Sequence, residues 1–226
     1  GVDIENWQEL GFSEEFSKKQ VDIIEGYESI GVMSTCTCTP YLVGNSPLIN
    51  EHVAWSESSA VCYVNSAIGA RSNREGGPSA LLAAIVGRTP YYGNHILENR
   101  QADMIFNVDY DFKDSIDYGA LGYFTGQIVN DKKPYFRLND KVSRNNLKLL
   151  GAALASSGAV SLYHIEGVTP EADYASCCDS FGELEVVDIE ASDIEDTILK
   201  LNTTDKMPDL VCLGCPHASI SEIKEV

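Results

Sequence analysis

From Asn145 onward the chain alternates helical and strand-like apolar runs, and this alternation constrains the fold more than any other feature. "NLKLLGAALASSG" has the spacing of an amphipathic helix, and "AVSLYHIEG" and "ELEVVDI" read as strands. Ser192 and Glu195 predict a capping box ahead of the helix "DIEDTILKLN". "PDLVCLG" reads as a third strand, and Ser219 with Glu222 predict a second capping box ahead of "ISEIKEV". Strands and helices at this spacing require βαβ crossovers, hence an α/β fold with a mainly parallel sheet. Such sheets bind ligands beyond the C-terminal ends of their strands. By topology alone, "GCPHAS", with Cys215 and His217, then lies at a site-forming position. The last helix has run under two turns by Val226, too short to stand alone, and the expectation is a piece of a longer chain.

The first half is organised differently. "FSEEFSKKQVDIIEGYESIG" predicts an amphipathic helix capped by Ser13. Residues 31 to 50, rich in Thr, Pro, Gly and Asn, predict a loop around a short strand. "ESSAVCYVNSAIGA" predicts a helix that stops at Gly69, and "RSNREGG" follows as a loop rich in side-chain donors. "PSALLAAIVG" predicts a short buried helix, with Pro78 in its first turn and Gly87 at its end. Between residues 101 and 142 the pattern weakens: "MIFNVDYDF" alternates as a strand, and "YGALGYFTGQIV" is a helix broken by glycines.

Charge narrows the partners. A net charge of −18 repels nucleic-acid phosphates and anionic membranes, which excludes both as partner classes. No apolar run approaches the ~20 residues that span a bilayer, and no basic-then-apolar leader is visible, so the expected location is cytoplasmic. Against this acidity, four of the six arginines (Arg71, Arg74, Arg88 and Arg100) fall in one short stretch. The guanidinium fork matches carboxylate and phosphate, so the cluster points to an anionic small-molecule substrate. The alternative is internal salt bridging to Glu57, Glu75 and Glu98.

Seven cysteines, an odd number without an export signal, argue for reduced thiols rather than a disulfide framework. Cys62 sits inside an apolar pattern and reads as core, while Cys177 and Cys178 form an adjacent pair in a loop. Cys36 with Cys38, and Cys212 with Cys215, have the spacing of metal ligands. Together they make either a four-thiolate zinc site, as in a non-catalytic binding module, or part of an iron–sulfur site. Spacing does not choose between these, although C-x-C is tighter than the usual zinc knuckle. Within its strand, Cys212 is expected to be a buried core thiol.

The segments "TCTCTPYLVGN", "WSESSAVCYVNSAIGARSNREGGPSA", "GRTPYYGNHILENR", "YHIEGVTPEA" and "LGCPHAS" resemble the large subunit of the aconitase X family, in order and across most of the chain. Within the family, "CTCTPY" and "REGGPSA" are most similar to the archaeal branch. The resemblance implies an aconitase-like α/β/α layering, with residues 1–226 forming the central part of the catalytic domain and both ends of that domain missing. It implies a hydro-lyase that dehydrates (R)-5-phosphomevalonate to trans-anhydromevalonate 5-phosphate in archaeal isoprenoid synthesis. The alternative substrate within the family is cis-3-hydroxy-L-proline. The implied cofactor is an iron–sulfur cluster, [4Fe-4S], bound by Cys38 and Cys215, with Cys36 as the alternative to Cys38 and a third cysteine outside this chain. The implied partner is a small swivelling-domain subunit that supplies the base. Glu57, Ser58, Asn65, Arg71, Asn73 and Arg74 are the candidate substrate-binding residues, set against a bracing role for Glu57 and Asn65. Glu166 is a candidate site carboxylate, whereas Tyr91, Tyr92 and His95 read as structural.

Overall fold

The computed structural model describes Asp3 and residues 5 to 225. It divides into two compact units, Gly1–Thr37 and Cys38–Val226. In the first, helix α1 (Glu14–Ser29) starts where the sequence predicts, with the Ser13 hydroxyl accepting from the Phe16 amide. Cys36 is exposed, at φ 48, in the irregular segment that ends this unit.

The second unit is built on a four-stranded, all-parallel sheet of order β3-β2-β1-β4: β1 (Met104–Val108), β2 (Pro134–Leu138), β3 (His164–Ile165) and β4 (Val186–Ile189). Before the sheet come α2 (Ser58–Tyr63), which continues through a π-turn at Val64–Ile68, and α3 (Gly77–Val86). Helix α4 (Ser115–Val129) connects β1 to β2, and α5 (Arg144–Gly158) connects β2 to β3. Then come α6 (Ala172–Ser176), α7 (Ala191–Leu201) and α8 (Ile220–Glu225). Alternation along the strands fills two layers. Met104, Phe106, Val108 and Phe136 join the larger core with residues of α2, α4, α5 and α7. Ile105 and Tyr135 point the other way, towards Ala172 and Ala175 of α6. Helices therefore cover both faces, as an all-parallel sheet requires.

The glycines of α4 do not break it; they let α5 approach. A Cβ on Gly158 would lie 2.3 Å from the carbonyl oxygen of Gly126, and one on Gly122 would lie 2.7 Å from that of Leu150. Cys62 is buried, as its pattern predicts, and burial pushes its thiol up to about 12. Gly69 ends the π-turn at φ 76, in the left-handed region where glycine is at ease.

Several expectations give way. "PYFRL" forms the unanticipated strand β2. The first capping box lies at Glu190 and Asp193, two residues before Ser192 and Glu195. Helix α3 is not buried: Leu82, Ile85 and Val86 are each at least 60% exposed. "PDLVCLG" pairs with no strand among the described residues, and Leu210, Val211, Cys212 and Leu213 are all exposed. A short apolar run without alternation or a neighbouring strand does not specify a strand by itself. The sheet ends at β3 and β4, so Cys212 is not a core thiol, and Cys215 does not follow a strand end.

One buried group ties stability to pH. The His164 Nε2–H donates to the Arg100 carbonyl at 2.8 Å, while its buried Nδ1 has no hydrogen-bond partner among the described residues. Burial lowers its pKa from 6.5 to about 4, against a smaller opposing pull from that hydrogen bond. The unfolded chain thus binds a proton that the folded chain refuses between those two values, and stability rises with pH across that window. Urea titrations should show about 3 kcal/mol of stability from this residue, present above pH 6.5 and lost on the way down to pH 4. In His164→Gln, which keeps a donor, the slope over this window should flatten. An unchanged slope would mean that His164 is protonated in the folded protein.

Candidate functional site

The half-buried Cys38 precedes a short 3-10 turn at Pro40–Leu42. Its Sγ accepts the His217 backbone N–H at 3.1 Å, from 179 residues further along the chain. The turn that brings this amide has Gly214 at φ 153 and Cys215 at φ 56. A left-handed cysteine is unfavourable for an L residue and persists only where its surroundings fix it. Here Pro216 is buried, Cys215 is exposed, and α8 follows at once. The predicted second capping box forms: the Ser219 amide donates to Glu222 Oε2 at 2.6 Å and the Glu222 amide to Ser219 Oγ at 3.3 Å.

Tyr41, which the sequence reading passed over, stacks on Tyr63 at 4.0 Å and on Trp55 at 6.5 Å. Its buried hydroxyl has no hydrogen-bond partner among the described residues. Burial first, then its neighbours Tyr63, Glu57, Cys38 and Glu222, push its pKa upward. The phenol therefore stays protonated in the field of Cys38, Glu57 and Glu222, and marks where these side chains converge. Glu57 caps α2, accepting from Ser59 N at 3.1 Å, Ala60 N at 2.6 Å and Ser59 Oγ at 2.7 Å. Ser58 is exposed, with its hydroxyl 3.5 Å from Glu57 Oε1.

The loop after α2 is braced from within. Asn65 is buried; its Nδ2 donates to the Ser72 and Ser161 carbonyls, and its Oδ1 accepts from Ser72 N and Arg100 Nη1. Asn73 donates to Tyr92 O at 3.1 Å and accepts from Asn94 N at 2.8 Å. Arg71 donates to His95 O at 3.2 Å and Asn50 Oδ1 at 2.9 Å, with Glu171 at 4.0 Å. Arg74 is exposed and bonds the Ala159 carbonyl at 2.6 Å. Arg100 is fully buried against Glu171. The ionic partner of Arg71 and Arg100 is therefore Glu171 rather than Glu57, Glu75 or Glu98. Beside this loop a cleft of about 590 Å³ is lined by Trp55, Arg88, Tyr91 and a pair of histidines, His52 and His95, whose Nδ1 atoms are 2.9 Å apart. Burial first, then His52, hold the His95 pKa down. Tyr91 and Tyr92 are exposed, as is Glu166, which follows β3 at 3.5 Å from Arg137 Nε.

An iron–sulfur cluster asks for thiolates whose sulfurs accept N–H donors. Cys38, with the His217 amide on its sulfur, meets this requirement, and the exposed Cys215 lies two residues before that amide. The donor set present fits such a cluster in part, since among the described residues no three His, Cys, Asp or Glu side chains gather to hold a metal ion. Nor, among the described residues, do Cys38, Cys212 and Cys215 gather into such a group, as the zinc alternative would need.

Residues 1–98 match the family model "Aconitase X first domain", and residues 102–199 match "Aconitase X second domain". The large subunit of phosphomevalonate dehydratase from Methanothermobacter thermautotrophicus is 56% identical over all of this chain, which covers 56% of that protein. The cis-3-hydroxy-L-proline dehydratase of Hypocrea jecorina is 35% identical over the whole chain, which covers 39% of it. The crystal structure of Thermococcus kodakaraensis aconitase X in its holo-form superposes with a TM-score of 0.87 at 44% identity, over 95% of this chain and 54% of that one. The chain thus spans about half the length of the phosphomevalonate dehydratase subunits it matches.

Proposed function

Since the chain belongs to the aconitase X family, we propose that it is part of the large subunit of a hydro-lyase that dehydrates (R)-5-phosphomevalonate to trans-anhydromevalonate 5-phosphate. The higher identity to the phosphomevalonate enzymes supports this substrate over cis-3-hydroxy-L-proline. The observation that carries the chemistry is the seat of the Cys215–His217 turn on Cys38.

In this reading Cys38 and Cys215 hold an iron–sulfur cluster, with Cys36 as the alternative to Cys38 and a third thiolate from outside this chain. When bound, the cluster supplies a Lewis acid for the substrate hydroxyl, stabilising the negative charge on the departing oxygen. The His217 N–H donates to the Cys38 sulfur, the kind of hydrogen bond that orients a metal ligand. Glu57 and Ser58 face the substrate from the start of α2, with Glu57 already oriented by the amides it caps. Arg74 offers its exposed guanidinium to the carboxylate or phosphate. Asn65, Asn73 and Arg71 hold the loop that carries it. The proton-abstracting base comes from a small-subunit partner, as the name "large subunit" of the relatives suggests.

The test uses the full-length large subunit with its small subunit, reconstituted anaerobically with iron and sulfide. Turnover of (R)-5-phosphomevalonate should exceed that of cis-3-hydroxy-L-proline by at least about a hundredfold in kcat/KM, because a site with polar groups placed for a phosphate leaves them unpaired when the substrate has none. Equal rates, or a preference for the hydroxyproline, would overturn the assignment.

A further inference from the structure

Lys148 is a lysine on the buried face of a helix. It lies in register with Gly151 and Ala155 of α5, both in the core, and its own side chain is 3% exposed. A cationic group is rarely buried unless it is paired. Its Nζ donates to the His217 carbonyl at 3.0 Å and forms an ion pair with Glu222, itself only 14% exposed. One turn earlier on α5, Asn145 donates to Ser221 Oγ at 3.0 Å and accepts from Ser219 Oγ at 3.3 Å. Glu222 Oε2 meanwhile receives the Ser219 amide. The start of α5 thus grips residues 217 to 222 on both flanks, and His217 is held at both ends of its backbone: its carbonyl by Lys148 and its amide by Cys38. With no strand leading into it, the turn has no sheet to fix its position.

We propose that Lys148 and Glu222 are positioning residues for the thiolate site: they clamp the Cys215–His217 turn against Cys38. The cofactor part of this inference rests on the reading above; the clamp itself does not. Burial raises the Glu222 pKa, but the bonds from Lys148 and Ser219 outweigh it and leave the carboxyl lowered, so the ion pair persists at neutral pH. Any acceptor would satisfy a buried ammonium, yet both partners of Lys148 lie on the far segment, at His217 and Glu222. The clamp therefore makes a specific demand: releasing Lys148 must loosen the turn while α5 stays formed.

The experiment compares wild type, Lys148→Met, and the paired variant Lys148→Met with Glu222→Leu, each in the full-length large subunit with its small subunit. The paired variant leaves no lone buried charge and serves if the single variant fails to fold. Amide hydrogen exchange in the apo protein is read separately for residues 214 to 219 and for α5. Iron stoichiometry and the visible and electron paramagnetic resonance spectra are then read after anaerobic reconstitution. Exchange in 214 to 219 should accelerate at least tenfold with α5 unchanged, iron content should fall at least fivefold, and the residual spectrum should shift. Unchanged exchange in a folded variant would overturn the proposal, as would faster exchange with wild-type iron content and spectrum. Faster exchange in a protein whose wild type itself holds no iron would uphold the clamp and sink the cofactor reading instead.

Discussion

Arg100→Met will destabilise the protein by about 3 to 5 kcal/mol, the range for stripping one partner from a buried ion pair. Arg100 is 0% exposed and every face of its guanidinium is engaged. Nε donates to Glu171 Oε2 at 2.6 Å, Nη1 to Asn65 Oδ1 and Asn94 O at 3.0 Å each, and Nη2 to Asn65 O at 3.0 Å and Ala70 O at 3.1 Å. Methionine fills much of the volume but strands the Glu171 carboxylate and four acceptors away from water. A loss of this size is a large fraction of the stability of an ordinary domain. Arg100→Lys restores the charge but not the planar fork, and should recover less than half of the loss. Adding Glu171→Met to Arg100→Met removes the stranded charge and should recover more than lysine does. Denaturant unfolding of the four proteins decides this; a loss below about 1 kcal/mol in Arg100→Met would mean that the network contributes no more than a surface ion pair.

Arg100 also shows where sequence reading stops. Its cluster with Arg71 and Arg74 was legible as a concentration of forks in an acidic chain. That Arg100 faces inward was not, because its carboxylate lies 71 residues away on the turn after β3. The elements with strong periodicity, α1, α2 and α5, were readable, as were α4 and α7 in the larger core, but α6 on the other face of the sheet was not. β2 was missed because five residues that include a proline and an arginine, Pro134–Leu138, carry little pattern. The reverse error, a strand at "PDLVCLG", has the same origin: apolarity marks a segment as able to pair, and only the sheet decides whether it does. At the site, both cysteine motifs were visible and their convergence was expected, but what holds them together was not legible. Cys38 and His217 are brought together by α5 through Lys148, and a lysine in an apolar stripe was the one local sign of it.

Under the proposed function, Cys215→Ala and Cys38→Ala, made in the full-length large subunit with its small subunit, should each lose most of the iron and lower dehydration by at least about a thousandfold. A Lewis acid supplies several kcal/mol of transition-state stabilisation, and each 1.36 kcal/mol is a factor of ten in rate. The controls are the thiols that the fold places elsewhere. Cys212 is exposed three residues before Cys215, in a segment that pairs with no strand among the described residues, so Cys212→Ala should change stability by no more than about 0.5 kcal/mol and leave iron and turnover at wild-type levels. Cys62 is fully buried against α5, and a Cβ on Gly151 would come within 3.4 Å of its sulfur. Cys62→Ala should therefore cost about 1 kcal/mol through the small void it leaves, again with the iron retained. The contrast separates ligation from proximity: Cys212 shares a segment with Cys215 and Cys62 shares a core with α5, yet neither sulfur sits on the turn that Cys38 holds. Iron content and turnover of the four variants read the assignment directly. Were Cys212→Ala to bleach the protein while Cys215→Ala kept its colour and rate, the ligand on this segment would be Cys212, and the exposed strand-like run before the turn would have to fold onto the site when iron binds.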